Sequence, residues 1–216
     1  MKYFVANWKA NKNLQESQTW IDQFLKLYQP KEDKIVIICP PFPFLTNLKQ
    51  KTNQIKNLKL GSQDISSFEE GAYTGEITAK SLVGLVDYVI VGHSERRKYF
   101  NENNETVTKK IILAKKCQIE PILCIRDEND WLTESEVKII AYEPVYAIGS
   151  GNNEPIEKVI EIKEKIKLSP DCVYLYGGSV NENNAKDDIQ SDKIDGLLIG
   201  GASLDPHNFY KIISQS

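Results

Sequence analysis

Three side chains in this sequence sit where their neighbours could turn them to chemistry. Glu143 follows the apolar, β-branched run Val137-Lys138-Ile139-Ile140 and is itself followed by Pro144. Proline disfavours the helical region for the residue before it and cannot extend a ladder, so the spacing predicts a carboxylate at the carboxyl end of a strand. Beyond it, Val145-Tyr146-Ala147-Ile148 is apolar and is closed by Gly149-Ser150-Gly151. An apolar loop with glycines at its far end suits a lid that covers a ligand and brings a bare backbone N–H to it. Taken alone, the same letters also read as a strand ending in a buried turn, with a glutamate at the surface.

His93 stands in Gly92-His93-Ser94-Glu95-Arg96-Arg97, just past Tyr88-Val89-Ile90-Val91 and ahead of a helical pattern. Amide dipoles at a helix start disfavour imidazolium, so a neutral, hydrogen-bond-donating ring is expected. The plainer alternative makes Ser94 the helix cap and His93 a spacer. Lys9 closes Asn7-Trp8-Lys9 at the end of the first apolar run. There a fixed cation can hold an anion, or charge developing on oxygen, although a lone lysine also reads as a snorkelling surface side chain. Tyr176-Gly177-Gly178-Ser179-Val180 and Gly200-Gly201-Ala202-Ser203 each pair glycines between an apolar run and a helical segment. Bare amides at such places close on a phosphate. One carboxylate base, one neutral histidine, one lysine and two glycine loops suit proton transfer beside a carbonyl on a small phosphorylated substrate. No metal-ligand cluster and no nucleophile–base pair accompanies them, so no metal or cofactor is called for. His207, behind Pro206 in the last helical segment, reads as structural.

These stretches need a scaffold that brings strand ends together. Eight short apolar runs are predicted as strands: Tyr3–Asn7, Lys34–Cys39, Leu58–Gln63, Tyr88–Gly92, Glu120–Ile125, Val137–Glu143, Cys172–Tyr176 and Asp195–Gly200. Most are near-continuous instead of alternating, as for parallel strands covered on both faces. Helical spacing separates them: Leu14, Ile21, Phe24 and Tyr28 after Asn13, with Glu16 placed for a capping box. Further helical patterns fall in Phe42–Lys51, Lys80–Val86, Glu102–Cys117, Ile156–Ile166 after Pro155, Asn181–Gln190 and Pro206–Ser214. Eight strands with crossover helices make a closed (β/α)8 barrel or an open doubly wound sheet. No Gly-x-Gly-x-x-Gly follows the first strand, which speaks against the dinucleotide-binding form of the open sheet. Only Arg126–Glu136 separates the fifth and sixth runs, too few residues for a loop, a full helix and a second loop. A short turn capped by Thr133 and Glu136, with Trp131 and Leu132 shielding the sheet, is expected there. With no linker, repeat or low-complexity tract, the chain reads as a single domain, residues 1–216.

Composition narrows the function. With 216 residues, 41% hydrophobic and 26% charged, the chain can build a substantial core. A net charge of −3 with both signs interspersed gives no footprint for nucleic acid or an anionic membrane. Cys39, Cys117, Cys124 and Cys172 lie far apart beside apolar runs and read as small buried thiols of a reducing compartment. With no leader-like apolar stretch at Met1–Ala6 and no run long enough to span a bilayer, a soluble cytoplasmic protein is expected.

Six stretches, in order along the chain, resemble the triosephosphate isomerases: Asn-Trp-Lys at 7–9, Gly-Ala-Tyr-Thr-Gly-Glu at 71–76, Gly-His-Ser-Glu-Arg-Arg at 92–97, Ala-Tyr-Glu-Pro-Val-Tyr-Ala-Ile-Gly-Ser-Gly at 141–151, Tyr-Gly-Gly-Ser-Val at 176–180 and Gly-Gly-Ala-Ser-Leu at 200–204. The resemblance implies an α/β TIM barrel, trimmed after strand 5, that interconverts dihydroxyacetone phosphate and D-glyceraldehyde 3-phosphate in glycolysis and gluconeogenesis. It implies Glu143 as base, His93 as neutral electrophile and proton shuttle, and Lys9 as the cation beside the substrate, with Asn7 and Glu95 as its neighbours. Gly149, Ser179, Gly200 and Gly201 match the amides that grip the phosphate. Thr74 matches the residue that reaches into a partner subunit, so a homodimer through the Gly71–Glu76 loop is implied. Three positions depart from the family pattern: Tyr146 for tryptophan in the lid, Ala10 for methionine, and Arg126 for the glycine after Leu-Cys-Ile. A metal-dependent sugar-phosphate epimerase or another phosphate-binding barrel would share only the glycine loops, and a non-catalytic relic would need none of Lys9, His93 and Glu143.

Overall fold

A computed structural model describes residues 1–132, 137–147 and 153–216. Eight parallel strands close into a barrel in the order β1 to β8. They are β1 Lys2–Asn7, β2 Lys34–Cys39, β3 Leu58–Ser62, β4 Tyr88–Val91, β5 Glu120–Ile125, β6 Ile139–Tyr142, β7 Val173–Tyr176 and β8 Gly196–Ile199. The α-helices among the described residues are α1 Leu14–Leu27, α2 Leu45–Thr52, α3 Ser94–Tyr99, α4 Asn104–Lys116, α5 Ile156–Lys165, α6 Ala185–Ile189 and α7 Pro206–Ser214. The open doubly wound alternative is therefore out: β8 pairs with β1, Tyr3 opposite Gly196.

Side chains on a strand alternate between faces, so each strand feeds two cores. Val5, Ile37, Ile90, Ile122, Ala141, Leu175 and Leu198 fill the barrel. Phe4, Ala6, Val36, Val89, Leu123, Ile140, Tyr174 and Leu197 point outward under the helices. Trp8 continues the outward row of β1, fully buried with its ring centroid 4.7 Å from that of Trp20 on α1. Asn7 and Lys9, on either side of it, are thereby turned toward the barrel mouth. The predicted capping box at Asn13 forms, with Glu16 N–H to Asn13 Oδ1 at 3.0 Å and Asn13 N–H to Glu16 Oε2 at 2.7 Å.

Two predicted helical segments are shorter than their apolar spacing suggested. Lys80–Val86 is a single 3-10 turn, Lys80–Leu82, because Gly84 takes a φ of 79° and breaks the helix. Asn181–Gln190 becomes helical only at Ala185. Asn181 Oδ1 accepts the Asn183 amide while its own N–H donates to Asn184 Oδ1, a local turn that competes with helix. Of the four thiols, Cys39 and Cys124 are buried as expected, but Cys117 and Cys172 are half-buried.

Between β5 and β6 the described residues hold one 3-10 turn, Glu128–Asp130, and no crossover helix of several turns. The proposed cap residues Thr133 and Glu136 lie outside the described residues. Trp131 and Leu132 pack against the outer core, where Leu123, Ile125 and Ile140 stay fully buried. Two aromatic and aliphatic side chains thus cover part of what a helix would otherwise cover.

Candidate active site

The carboxyl ends of the strands surround a cavity of about 210 Å³ lined by Asn7, Lys9, His93, Glu143, Gly177, Gly178, Ser179, Gly200 and Gly201, among others. Of the catalytic and phosphate-binding candidates named from sequence, Glu95 stands back from this lining, and Gly149 lies outside the described residues.

β6 stops at Tyr142, and the Glu143 N–H still bonds to Ile125 O on β5 at 2.8 Å, so the carboxylate is held on a strand end. Its side chain is buried. One carboxylate oxygen lies 2.9 Å from His93 Nε2 and the other accepts the Ser94 amide at 3.1 Å. His93 caps α3: its Nδ1 accepts the Glu95 N–H at 3.2 Å. An accepting Nδ1 needs its lone pair, so the neutral ring carries its proton on Nε2 and donates it to Glu143. The helix start therefore sets the tautomer.

The charges are coupled. Burial raises the cost of ionising Glu143, but His93, the Ser94 amide and Lys9 outweigh it and hold its pKa below the ordinary value. Burial likewise opposes charge on His93, yet the Glu143 carboxylate outweighs it and moves the ring's pKa up. While Glu143 rests against it, His93 protonates more readily than the helix-start argument alone predicts. The Cys124 thiol also meets Glu143; burial first, and then that carboxylate, push its pKa well up, so it stays a neutral thiol.

Lys9 adopts a φ of 54°, a left-handed conformation that costs a non-glycine residue about 1 kcal/mol. Its backbone is clamped on both sides: N–H to Asn7 Oδ1 at 3.1 Å, and C=O accepting Gln63 Nε2 at 2.9 Å. Its ammonium pairs with Glu95 at 2.5 Å. Such strain persists where surroundings over-determine it, and here it aims the ammonium across the mouth.

The glycine loops have a steric role beside any anion binding. A Cβ on Gly177 would stand 3.0 Å from Glu143 Cγ, and one on Gly200 would stand 3.3 Å from Lys9 Cε. Gly178 would meet the Tyr176 hydroxyl at 2.0 Å. That hydroxyl accepts the Glu154 N–H at 2.8 Å, and Ser179 Oγ donates to Ala147 O. Ala147, within the segment predicted to be a lid, and Glu154, beyond it, are thus each tied to the Tyr176–Val180 loop. Sequence reasoning gave Tyr176, Gln63 and Cys124 no contact with the site. Tyr176 carried a usable signal, a hydroxyl on the last residue of a strand; the other two act through contacts that no local pattern announces.

Among the described residues no group of three or more histidine, cysteine and acidic side chains is placed to hold a metal. The family model described as triosephosphate isomerase matches residues 2–216. The triosephosphate isomerase of Aquifex aeolicus is 38% identical over 244 aligned positions, covering 98% of each chain. That of Dictyoglomus turgidum is 36% identical over 245 positions, 98% of each chain. That of Mesomycoplasma hyopneumoniae is 36% identical over 242 positions, 100% of this chain and 99% of the relative. Alignments longer than the 216 residues of this chain mean that the relatives carry segments it lacks.

Proposed function

This chain belongs to the triosephosphate isomerase family, and we propose that Glu143, His93 and Lys9 are the groups with which it interconverts dihydroxyacetone phosphate and D-glyceraldehyde 3-phosphate. The reaction is a step of glycolysis and, in the reverse direction, of gluconeogenesis. Glu143 takes a proton from C1 of the ketose. The C–H electron pair becomes the C1=C2 bond, and the carbonyl oxygen takes up the negative charge. His93 Nε2–H and the Lys9 ammonium stabilise that charge, and His93 moves the hydroxyl proton between the two oxygens. Glu143 then returns its proton to C2. Proton transfer by a placed side chain contributes about 10²- to 10⁴-fold, and the family is itself a standard example of acid–base groups tuned by their surroundings. Gly149, Ser179, Gly200 and Gly201 are proposed to hold the phosphate, with Asn7 and Glu95 setting Lys9.

One observation carries the assignment: His93, Glu143 and Lys9, far apart in sequence, border one cavity with the two glycine loops. Here the acid and the base satisfy each other, at 2.9 Å, so substrate must displace that contact for the carboxylate to reach a carbon. Glu143→Ala is expected to lower isomerase kcat by about 10³-fold in a coupled assay; undiminished activity would remove Glu143 as the base. The whole chain is proposed to act as one catalytic domain and to pair with a second copy through the Gly71–Glu76 loop. Residues Ser66–Phe68 and Tyr73–Ile77 flank an exposed apolar surface that such a copy would cover. No helix among the described residues is long and apolar enough to cross a membrane, and a cytoplasmic location is proposed from the substrate.

A further inference from the structure

Among the described residues between β5 and β6 there is a single 3-10 turn and no crossover helix, so that side of the barrel mouth needs another brace. Asp130 in that turn is buried, and its carboxylate reaches in two directions. Toward β5, it accepts Arg126 N–H at 2.9 Å, Arg126 Nε at 2.7 Å and Arg126 Nη2 at 2.9 Å. Arg126 follows Ile125 directly, and Ile125 O accepts the Glu143 amide at 2.8 Å. Toward β4, Asp130 lies 3.5 Å from Arg97 Nη1. Arg97 is buried; its Nε donates to Gly92 O at 2.8 Å and its Nη1 to Asn104 Oδ1 at 2.8 Å. Gly92, at a φ of 69°, is the turn residue immediately before His93. Asn104 also donates to Asn129 O at 3.2 Å, so the short turn and the head of α4 are fastened together.

We infer that Asp130 is a positioning residue: through Arg97 it holds the turn that aims His93 Nε2 at Glu143, and through Arg126 it holds the strand end that carries Glu143. The inference rests on the isomerase reading of that site. A buried guanidinium needs an anion beside it. Without the Asp130 charge, Arg97 is drawn toward its remaining acidic neighbour Glu102 or toward water and loosens its grip on Gly92 O. A displacement of about 1 Å at reacting groups costs about 10²-fold in rate. The glycine loops belong to β7 and β8, away from this brace, so substrate binding should change much less than turnover.

The test compares Asp130→Asn with Asp127→Ala in the full chain. Asp127 caps the same turn by accepting the Asn129 N–H at 2.8 Å, so its loss weakens the turn while leaving the Asp130 carboxylate in place. Isomerase kinetics give one readout. The ¹⁵N signals of the ring give another, since His93 and His207 are the only histidines. Asp130→Asn is expected to lower kcat about tenfold or more, to hold KM within about twofold, and to shift His93 from a fixed Nε2–H tautomer toward averaging. Asp127→Ala is expected to lower the melting temperature and keep both kcat and the ring signals. Unchanged kcat and ring signals in Asp130→Asn overturn the inference, as does an equal loss in Asp127→Ala. If Asp130→Asn yields no folded chain, Arg97→Lys carries the same expectations, because a single ammonium cannot span Gly92, Asn104 and Asp130. An unmutated chain without isomerase activity would sink the isomerase reading instead, and the ring signals would then decide the positioning role.

Discussion

In the site a carboxylate and an imidazole hold each other at 2.9 Å. Its electrostatics have a sign that can be measured. In the unmutated chain the Glu143 carboxylate overrides burial and raises His93 above the ordinary value of 6.5. Glu143→Gln removes that charge and leaves burial and Lys9, which both lower the ring's pKa, against the weaker pull of Glu95. NMR titration is therefore expected to find the His93 pKa above its ordinary value in the parent and lower in Glu143→Gln. A raised histidine contributes stability that is complete below its unfolded value and is lost as pH rises through the folded one. The parent should accordingly gain more stability than Glu143→Gln as pH falls from above the raised value to below 6.5. An identical His93 titration in both proteins would mean that the two side chains do not share charge. Glu143, His93 and Lys9 were legible as candidates in the sequence because each follows an apolar run at a strand end. The groups that restrain them were not: Gln63 grips Lys9 from 54 positions away, and Arg97 reaches Gly92 and Asp130 by tertiary contact.

At the scale of elements, all eight strands were legible because parallel strands covered on both faces are written as unbroken apolar runs. Their ends moved by a residue or two where a ladder bond, not side-chain character, decides the boundary. Helix lengths were less legible. Periodicity marks which face is buried, but Gly84 and the Asn181 turn decide where the backbone can remain helical. The shortened crossover was visible as a shortage of residues; among the described residues a carboxylate set between two arginines stands there, which was not visible, since the sequence marks Arg126 only as a departure from the family pattern and gives Asp130 no partner. Nor does sequence show where the barrel closes. Gly196 stands at that seam opposite Tyr3, and a Cβ there would lie 2.0 Å from Tyr3 O and 2.8 Å from Tyr3 N. Those atoms are backbone, so no side chain can turn aside. Gly196→Ala is expected to force β8 from β1 and cost about 3 kcal/mol or more, the upper end of overpacking penalties. Urea unfolding would read it as a lower midpoint. A variant as stable as the parent would mean that the seam is looser than its register implies.

For the whole molecule, the question is what covers the apolar surface around the Gly71–Glu76 loop. Phe68 and Tyr73 stack at 4.3 Å while 47% and 44% exposed, and Phe100 is 66% exposed. A cleft of about 320 Å³ runs beside them, lined by Phe42, Ile77, Arg96 and Phe100 among others. An exposed loop whose Gly75 and Glu76 border such a cleft is an arrangement that a two-fold pair of identical chains can satisfy, the tip of each loop meeting the other's cleft. The cleft also borders Arg96, beside the turn that carries His93, so a partner loop seated there would stiffen the same turn that Asp130 braces from the other side. Light scattering after size exclusion is accordingly expected to give twice the 24.6 kDa chain mass. Thr74, exposed on the loop, should not tolerate a long charged side chain in a closed interface. Thr74→Arg is expected to elute at the single-chain mass and to lose about tenfold in kcat, because the turn behind His93 is then held from one side only. Its circular dichroism should stay that of the parent, since Thr74 contributes nothing to the barrel core. A parent that runs as a single chain, or a Thr74→Arg variant that remains paired and fully active, would mean that the loop is not the contact and that Asp130 and its arginines support the turn without a second copy.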